Sequence, residues 1–285
     1  MTKLLSTYCL SISVSNQNYD TAIFLVHGLG MLGCEEQNVP EGIKLVVYFK
    51  NEESALAAVE SLKSLMAVPE YSIEKIENQD WNAKWRESMK PACIARGWYV
   101  SPVWLSPPKS ARHWIKIEPK MAFGTGHHET TRLASQAIIA ENRRIKSKSV
   151  LDIGSGSGVL CFVADICGAK RCIGVELDEC CRENLAENLR ENIPRSRIDF
   201  IMGSTSSLNA PGAFSLVVMN MIHTESAPLL DKVALLLEPE GRLIWSGILK
   251  DEFGEAVTAA GKSGFDLISE KTENEWWCGV FALRT

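Results

Sequence analysis

The 285-residue chain lacks any run of about 18 or more apolar residues, so no membrane-spanning helix is expected. Its start, Met1-Thr-Lys-Leu-Leu5, carries a single basic side chain and leads into an alternation that suits a strand, so no secretory leader is expected either. The nine cysteines include no C-x-x-C pair and no zinc-type spacing. Five of them, at 161, 167, 172, 180 and 181, gather in one stretch and read as small core or helix residues of a reducing compartment. Basic charge is not in excess. The formal net charge of −5 gives no global attraction to nucleic acid, and direct nucleic-acid binding is not expected. A dinucleotide fingerprint is absent too. Its third glycine would follow the second by three, whereas Gly154, Gly156 and Gly158 are spaced by two.

What is present is the content of a soluble globular protein, 46% hydrophobic and 23% charged. The most informative stretch is Val150-Leu-Asp-Ile-Gly-Ser-Gly-Ser-Gly158, followed by Gly174-Val-Glu176. It reads as a buried strand, a glycine turn, a helix and a second strand ending in a carboxylate. That layout makes a nucleoside site at the edge of a parallel sheet. Gly154 and Gly156 let the backbone approach a ligand, and Glu176 is placed to accept from two ribose hydroxyls. Asp152, two residues before the first glycine, suits an amino group and not a pyrophosphate. S-adenosylmethionine has the ribose and the ammonium and no phosphate, and is the expected cofactor. No metal site is expected.

The organisation agrees with such a site. Residues 1–78 read as β-α-β-β-α-β, a ferredoxin-like module. Residues 79–118 read as a connector rich in tryptophan and proline, whose tryptophans are expected to pack and not to grip a substrate. Residues 119–285 alternate strand and helix as a doubly wound α/β domain. Its tail, Asp266 to Ser269 and Cys278 to Leu283, fits a hairpin at the sheet edge with one antiparallel strand.

Two further elements bear on chemistry. In Met121-Ala-Phe-Gly-Thr-Gly-His-His-Glu-Thr-Thr131 the glycines permit an unusual loop, and Thr130 or Thr131 is expected to cap a helix over 131–140. Asn220 closes the apolar run Leu216-Val-Val-Met219, and its side-chain oxygen is placed to accept from an attacking amine. His127, His128 and His223 fall near the same mouth without assigned roles. Transfer from a sulfonium to an amine is an in-line displacement by the neutral amine. It calls for an acceptor-lined pocket more than for a strong base.

These pieces together resemble the PrmA family, the methyltransferases of ribosomal protein L11. The resemblance rests on Asp80-Trp-Asn-Ala-Lys-Trp85 with Lys90-Pro91, on Ala122-Phe-Gly-Thr-Gly126 with His128 and Thr130-Thr131, on the glycine loop, on Asn220-Met-Ile222 and on Ser246-Gly-Ile-Leu249. It implies a class I S-adenosylmethionine-dependent methyltransferase with a Rossmann-like, mostly parallel seven-stranded sheet, and a ferredoxin-like domain in front that recognises a protein substrate. It implies cofactor contacts at Thr131, Gly154, Glu176 and Asn220, and an acceptor amine held by Asn220 and Thr130. It further implies methylation of lysine and N-terminal amines of a large-subunit ribosomal protein in the cytoplasm.

The acceptor side departs from the family pattern Gly-Thr-Gly-Thr-His-Pro-Thr-Thr, with His127 for a Thr and Glu129 for the Pro. Met221 and Ile222 stand for Ile-Leu, and Ser204 for an Asp. Two alternatives therefore stay open: a different protein target, such as the electron-transfer flavoprotein β subunit, or a protein that holds S-adenosylmethionine without turnover. A base-modifying enzyme fits less well, since Asn220 is not followed by Pro-Pro.

Overall fold

Alternation of apolar residues builds the first layer. In the computed structural model, which describes residues 7–40, 42–65, 71–76, 86, 89–120, 122–146 and 148–284, the chain divides into two units, Met1–Met89 and Lys90–Thr285. The Asp80–Trp85 motif, with Trp81 and Trp85, lies outside the described residues.

The first unit runs β1 (Thr7–Val14), α1 (Tyr19–Gly28), β2 (Gly33–Val39), β3 (Gly42–Phe49), α2 (Glu52–Leu65) and β4 (Tyr71–Ile76). Its sheet has the order β2-β3-β1-β4, antiparallel throughout, as in a ferredoxin-like unit. Leu10, Ile12 and Val14 alternate inward on β1, and Leu45, Val47 and Phe49 do so on β3. They share one core with Ala55, Val59 and Leu62 of α2. The Asn51 carboxamide caps that helix by accepting from the Ser54 N–H at 2.8 Å.

The second unit begins with β5 (Ala92–Ala95), β6 (Trp98–Pro102) and β7 (His113–Ile117), a three-stranded sheet where a connector was expected. Three tryptophans fall in this stretch, and two of them brace the sheet. The Trp98 ring sits tilted against His113, centroids 4.1 Å apart, and Trp114 Nε1 donates to Ser101 Oγ at 2.6 Å.

There follow α3 (Glu129–Ala140), β8 (Ser149–Ile153), α4 (Val159–Ile166), β9 (Arg171–Glu176), α5 (Arg182–Asn192) and β10 (Arg197–Met202). The unit closes with β11 (Phe214–Asn220), α6 (Leu230–Leu236), β12 (Leu237–Leu249), α7 (Phe253–Lys262), β13 (Phe265–Glu273) and β14 (Trp276–Leu283). The seven strands take the order β10-β9-β8-β11-β12-β14-β13, parallel except that β14 runs antiparallel to both neighbours. Phe214–Met219 are buried without interruption, as a strand covered on both faces requires. Strand order reverses between β8 and β11, and an open α/β sheet binds its ligand at the carboxyl ends beside that switch.

One device ties the small sheet to the large one. Asn184, Asn188 and Asn192 recur every fourth residue on α5, so they share one helix face. Asn192 bonds both the N–H and the C=O of Lys116, at 2.9 and 2.7 Å. Asn188 accepts from the Glu118 N–H at 2.8 Å and donates to the Ser157 carbonyl at 2.9 Å. Asn184 donates to the Glu118 carbonyl at 2.8 Å. Side-chain amides thus stand in for a missing strand along the edge of β7. Asn188→Ala strands one buried acceptor and one donor and leaves a cavity. Chemical denaturation should show a loss of roughly 3 kcal/mol.

Candidate active site

Backbone geometry fixes the first half of the site. The turn after β8 packs its glycines against the loop at Phe123 and Gly124. The Ser157 N–H donates to the Phe123 carbonyl and Ser157 Oγ to the Gly124 carbonyl, both at 2.8 Å. No side chain fits between the two loops. A Cβ on Gly156 would lie 2.5 Å from the Phe123 oxygen, and one on Gly124 would lie 2.7 Å from Ser157 Oγ. Both glycines also hold positive φ, +52° and +107°. The two loop motifs, separate in sequence, therefore form one body.

Glu176 ends β9 beside this turn. Its Oε2 accepts from the Gly156 N–H at 2.7 Å and its Oε1 from the Asp178 N–H at 2.9 Å. Two backbone donors fix the carboxylate plane, and each oxygen keeps a lone pair for a further donor. The carboxylate borders a cavity of about 640 Å³, lined also by Gly154, Leu177, Gly203 and Met221. Leu177 is three-quarters exposed there. An apolar wall beside a paired acceptor is what a nucleoside needs: a surface for the base and a fork for the ribose.

Asp152 sits deeper than the cavity wall. It is buried within β8, where Oδ2 accepts from the Cys161 thiol at 3.7 Å and Oδ1 has no partner among the described residues. Burial, helped by the charge of Glu176, pushes its pKa up to about 8. An arriving ammonium would favour the ionised form. Cofactor binding at pH 7 should therefore release close to one proton, and affinity should rise with pH until about 8. Calorimetry in buffers of different ionisation enthalpy measures that proton, and Asp152→Asn should abolish its release.

The second half of the site is built at the start of α3. Its cap is His128, not a threonine. The extended His128 turns its Nδ1 to accept from the Thr130 N–H at 3.3 Å, so the helix opens at Glu129 and both threonines lie in its first turn. Thr130 Oγ1 lies 2.9 Å from the same Nδ1. Thr131 is fully buried, and its Oγ1 has no partner among the described residues. Asn220 ends β11 half-buried, its Oδ1 also without a partner among them. Ser246 links these two pieces. It pairs with Asn220 across β11 and β12, and its hydroxyl donates to the Thr130 carbonyl at 3.0 Å.

Of the other histidines, His127 is exposed, and His223 stacks 5.7 Å from Trp245. Glu129 has a structural use. It meets Arg132 at 3.3 Å and accepts from Asn274 at 2.9 Å, while Arg132 also reaches Glu273 at 2.6 Å. The start of α3 is thereby pinned to the β13–β14 hairpin. Sequence reading gave Ser157 and Ser246 no role of their own and missed this network, since each contact pairs residues far apart in the chain. The asparagine repeat in Glu183-Asn-Leu-Ala-Glu-Asn-Leu-Arg-Glu-Asn192 was the one signal within reach.

Oxygen acceptors without donors, a glycine cradle and a braced carboxylate together suit S-adenosylmethionine. Comparison with known proteins points the same way. Residues 2–284 match the family model described as ribosomal protein L11 methyltransferase (PrmA). A ribosomal protein L11 methyltransferase of Thermus thermophilus is 37% identical over 203 residues, 71% of this chain and 77% of the relative. One of Azotobacter vinelandii is 31% identical over 245 residues, 84% of this chain and 81% of the relative. The crystal structure of ribosomal protein L11 methylase from Lactobacillus delbrueckii subsp. bulgaricus has the same fold. Its TM-score is 0.61 at 22% identity, over 68% of this chain and 99% of that one.

Proposed function

The chain belongs to the ribosomal protein L11 methyltransferase family, and on that premise we propose that it methylates lysine side chains of ribosomal protein L11. S-adenosylmethionine is the methyl donor. When bound, it supplies a sulfonium methyl to an attacking amine. The observation that carries the lysine reading is the uncommitted Asn220 oxygen, at the end of the strand that neighbours β8 and linked through Ser246 to the buried Thr130.

The chain's own residues divide the work. Glu176 would hold the ribose, the turn from Gly154 to Gly158 would set the backbone distance, and Asp152 would balance the cofactor's ammonium. Thr131 offers a hydroxyl within the first turn of α3, where helix N–H groups also favour a carboxylate. Asn220 Oδ1 and Thr130 Oγ1 would accept from the acceptor nitrogen and aim its lone pair. His128 acts through Thr130, orienting its hydroxyl. A lysine ammonium has a pKa near ~10.4 in water and must lose its proton first. Neutral acceptors favour the uncharged amine, and no strong base is required. The N-terminal unit, in this reading, recognises the protein substrate, and the enzyme works in the cytoplasm.

The test is methyl transfer from labelled cofactor to purified ribosomal protein L11, with the sites mapped by mass. Label on its lysines is the expected result. Label absent from that protein but present on another in a lysate would keep the chemistry and reassign the substrate.

A further inference from the structure

Read along the chain, basic residues form no stripe. Folding makes one. Arg143, Arg144, Lys146 and Lys148 lie on the segment that leads into β8. Lys170 and Arg171 open β9, and Arg195 and Arg197 open β10. Strands β8, β9 and β10 are neighbours in the sheet and parallel, so these segments meet at one end of it. Arg197 pairs with Arg171, and Arg171 with Ser149. The Lys170 N–H donates to the Lys148 carbonyl at 2.8 Å. The Lys146 side chain borders Gly168. All eight cations are exposed.

Five carboxylates bond or neighbour this end, Asp165 among them, and against eight cations they leave it positive. Arg171 and Arg197 share Asp199 at 2.9 Å each, Arg144 meets Glu141 at 3.1 Å, and Lys148 meets Glu238 at 3.1 Å. Glu240 offers its backbone carbonyl to Arg144. Among the described residues the side chains of Arg143, Lys146, Lys170 and Arg195 have no carboxylate partner, although the Arg195 N–H donates to the Asp165 carboxylate at 3.0 Å. This excess stands on a chain whose net charge is −5, so the rest of the molecule is acidic. The ridge continues onto the small sheet. Arg195 and Arg112 both act on His113, whose ring sits tilted against the half-buried Trp98.

We propose that this ridge docks the phosphate backbone of structured RNA. Five of the eight cations are arginines, whose planar forks match phosphate oxygens. They lie on the strand starts and the short connections just before them, and not on a flexible tail. The ridge lies at the amino ends of β8, β9 and β10, and the candidate active site lies at the carboxyl ends. RNA held there leaves the site open to its protein substrate, and the inference does not depend on which amine is methylated.

The test uses fluorescence anisotropy of the full chain with a labelled RNA stem-loop at low salt. Binding should be sequence-tolerant and should weaken steeply as salt rises. Lys146→Glu with Lys170→Glu should reduce it at least tenfold while cofactor affinity stays unchanged. A variant of equal charge change away from the ridge, Lys250→Glu with Lys262→Glu, should reduce it by less than threefold. Equal losses in the two variants, no salt-sensitive binding by the unaltered chain, or tighter capture by anionic phosphatidylserine vesicles than by RNA would each overturn the proposal.

Discussion

Replacing Glu176 by alanine should weaken S-adenosylmethionine binding about 100- to 3,000-fold. The carboxylate is already oriented by the N–H groups of Gly156 and Asp178, so a ligand does not pay to order it. Each hydrogen bond to a charged group is worth about 1.5–3 kcal/mol, and two ribose hydroxyls would give roughly 3–5 kcal/mol. That corresponds to about two to three and a half decades in affinity. Alanine also leaves two backbone donors without their acceptor, which loosens the turn itself. Glu176→Gln keeps one acceptor and one of the backbone bonds, and should fall between. Calorimetry distinguishes these outcomes. An unchanged affinity in the alanine variant would remove the ribose assignment.

Much of this half of the site was legible in the sequence, because it is local. A strand, a turn that needs positive φ and a carboxylate at the next strand's end all lie within 27 residues, Val150 to Glu176. The tail hairpin was legible for the same reason, and β14 does run antiparallel, between β12 and the edge strand β13. The stretch from Ala92 to Ile117 was not. Its three strands hold only four or five residues each and are interrupted by Pro107 and Pro108, so no alternation long enough to read survives. The helix start was misplaced by two residues. A histidine cap carries no propensity signal as strong as that of the threonines beside it. The other half of the candidate site is assembled from α3, β11 and β12, and only the fold brings Thr130, Asn220 and Ser246 together.

Asn220→Asp should be the most telling change on that side. The substitution keeps shape and an acceptor oxygen but adds a negative charge beside the acceptor nitrogen. A carboxylate within hydrogen-bond reach favours the ammonium over the amine. If it raises the amine's pKa by about 2 units, the reactive fraction falls about a hundredfold at neutral pH. The loss should shrink as pH rises, so the rate profile of the variant should be displaced toward alkaline pH. Asn220→Ala should be slow as well, but with the profile of the unaltered enzyme, since it removes alignment and not neutrality. Rate against pH for the two variants separates these causes. Identical profiles for both would show that Asn220 does not touch the reacting amine.

The asparagines of α5 also bear on how this chain avoids its own kind. Strand β7 is the outer member of its sheet, and an open strand edge invites pairing with another molecule. Asn192 occupies the N–H and the C=O of Lys116, the very groups an intruding strand would use. A helix whose side chains mimic a strand thus acts as a guard against aggregation. That guard cannot form until residues some seventy positions apart have met. During synthesis β7 therefore leaves the ribosome unprotected, and its edge stays adhesive until α5 has followed and folded against it.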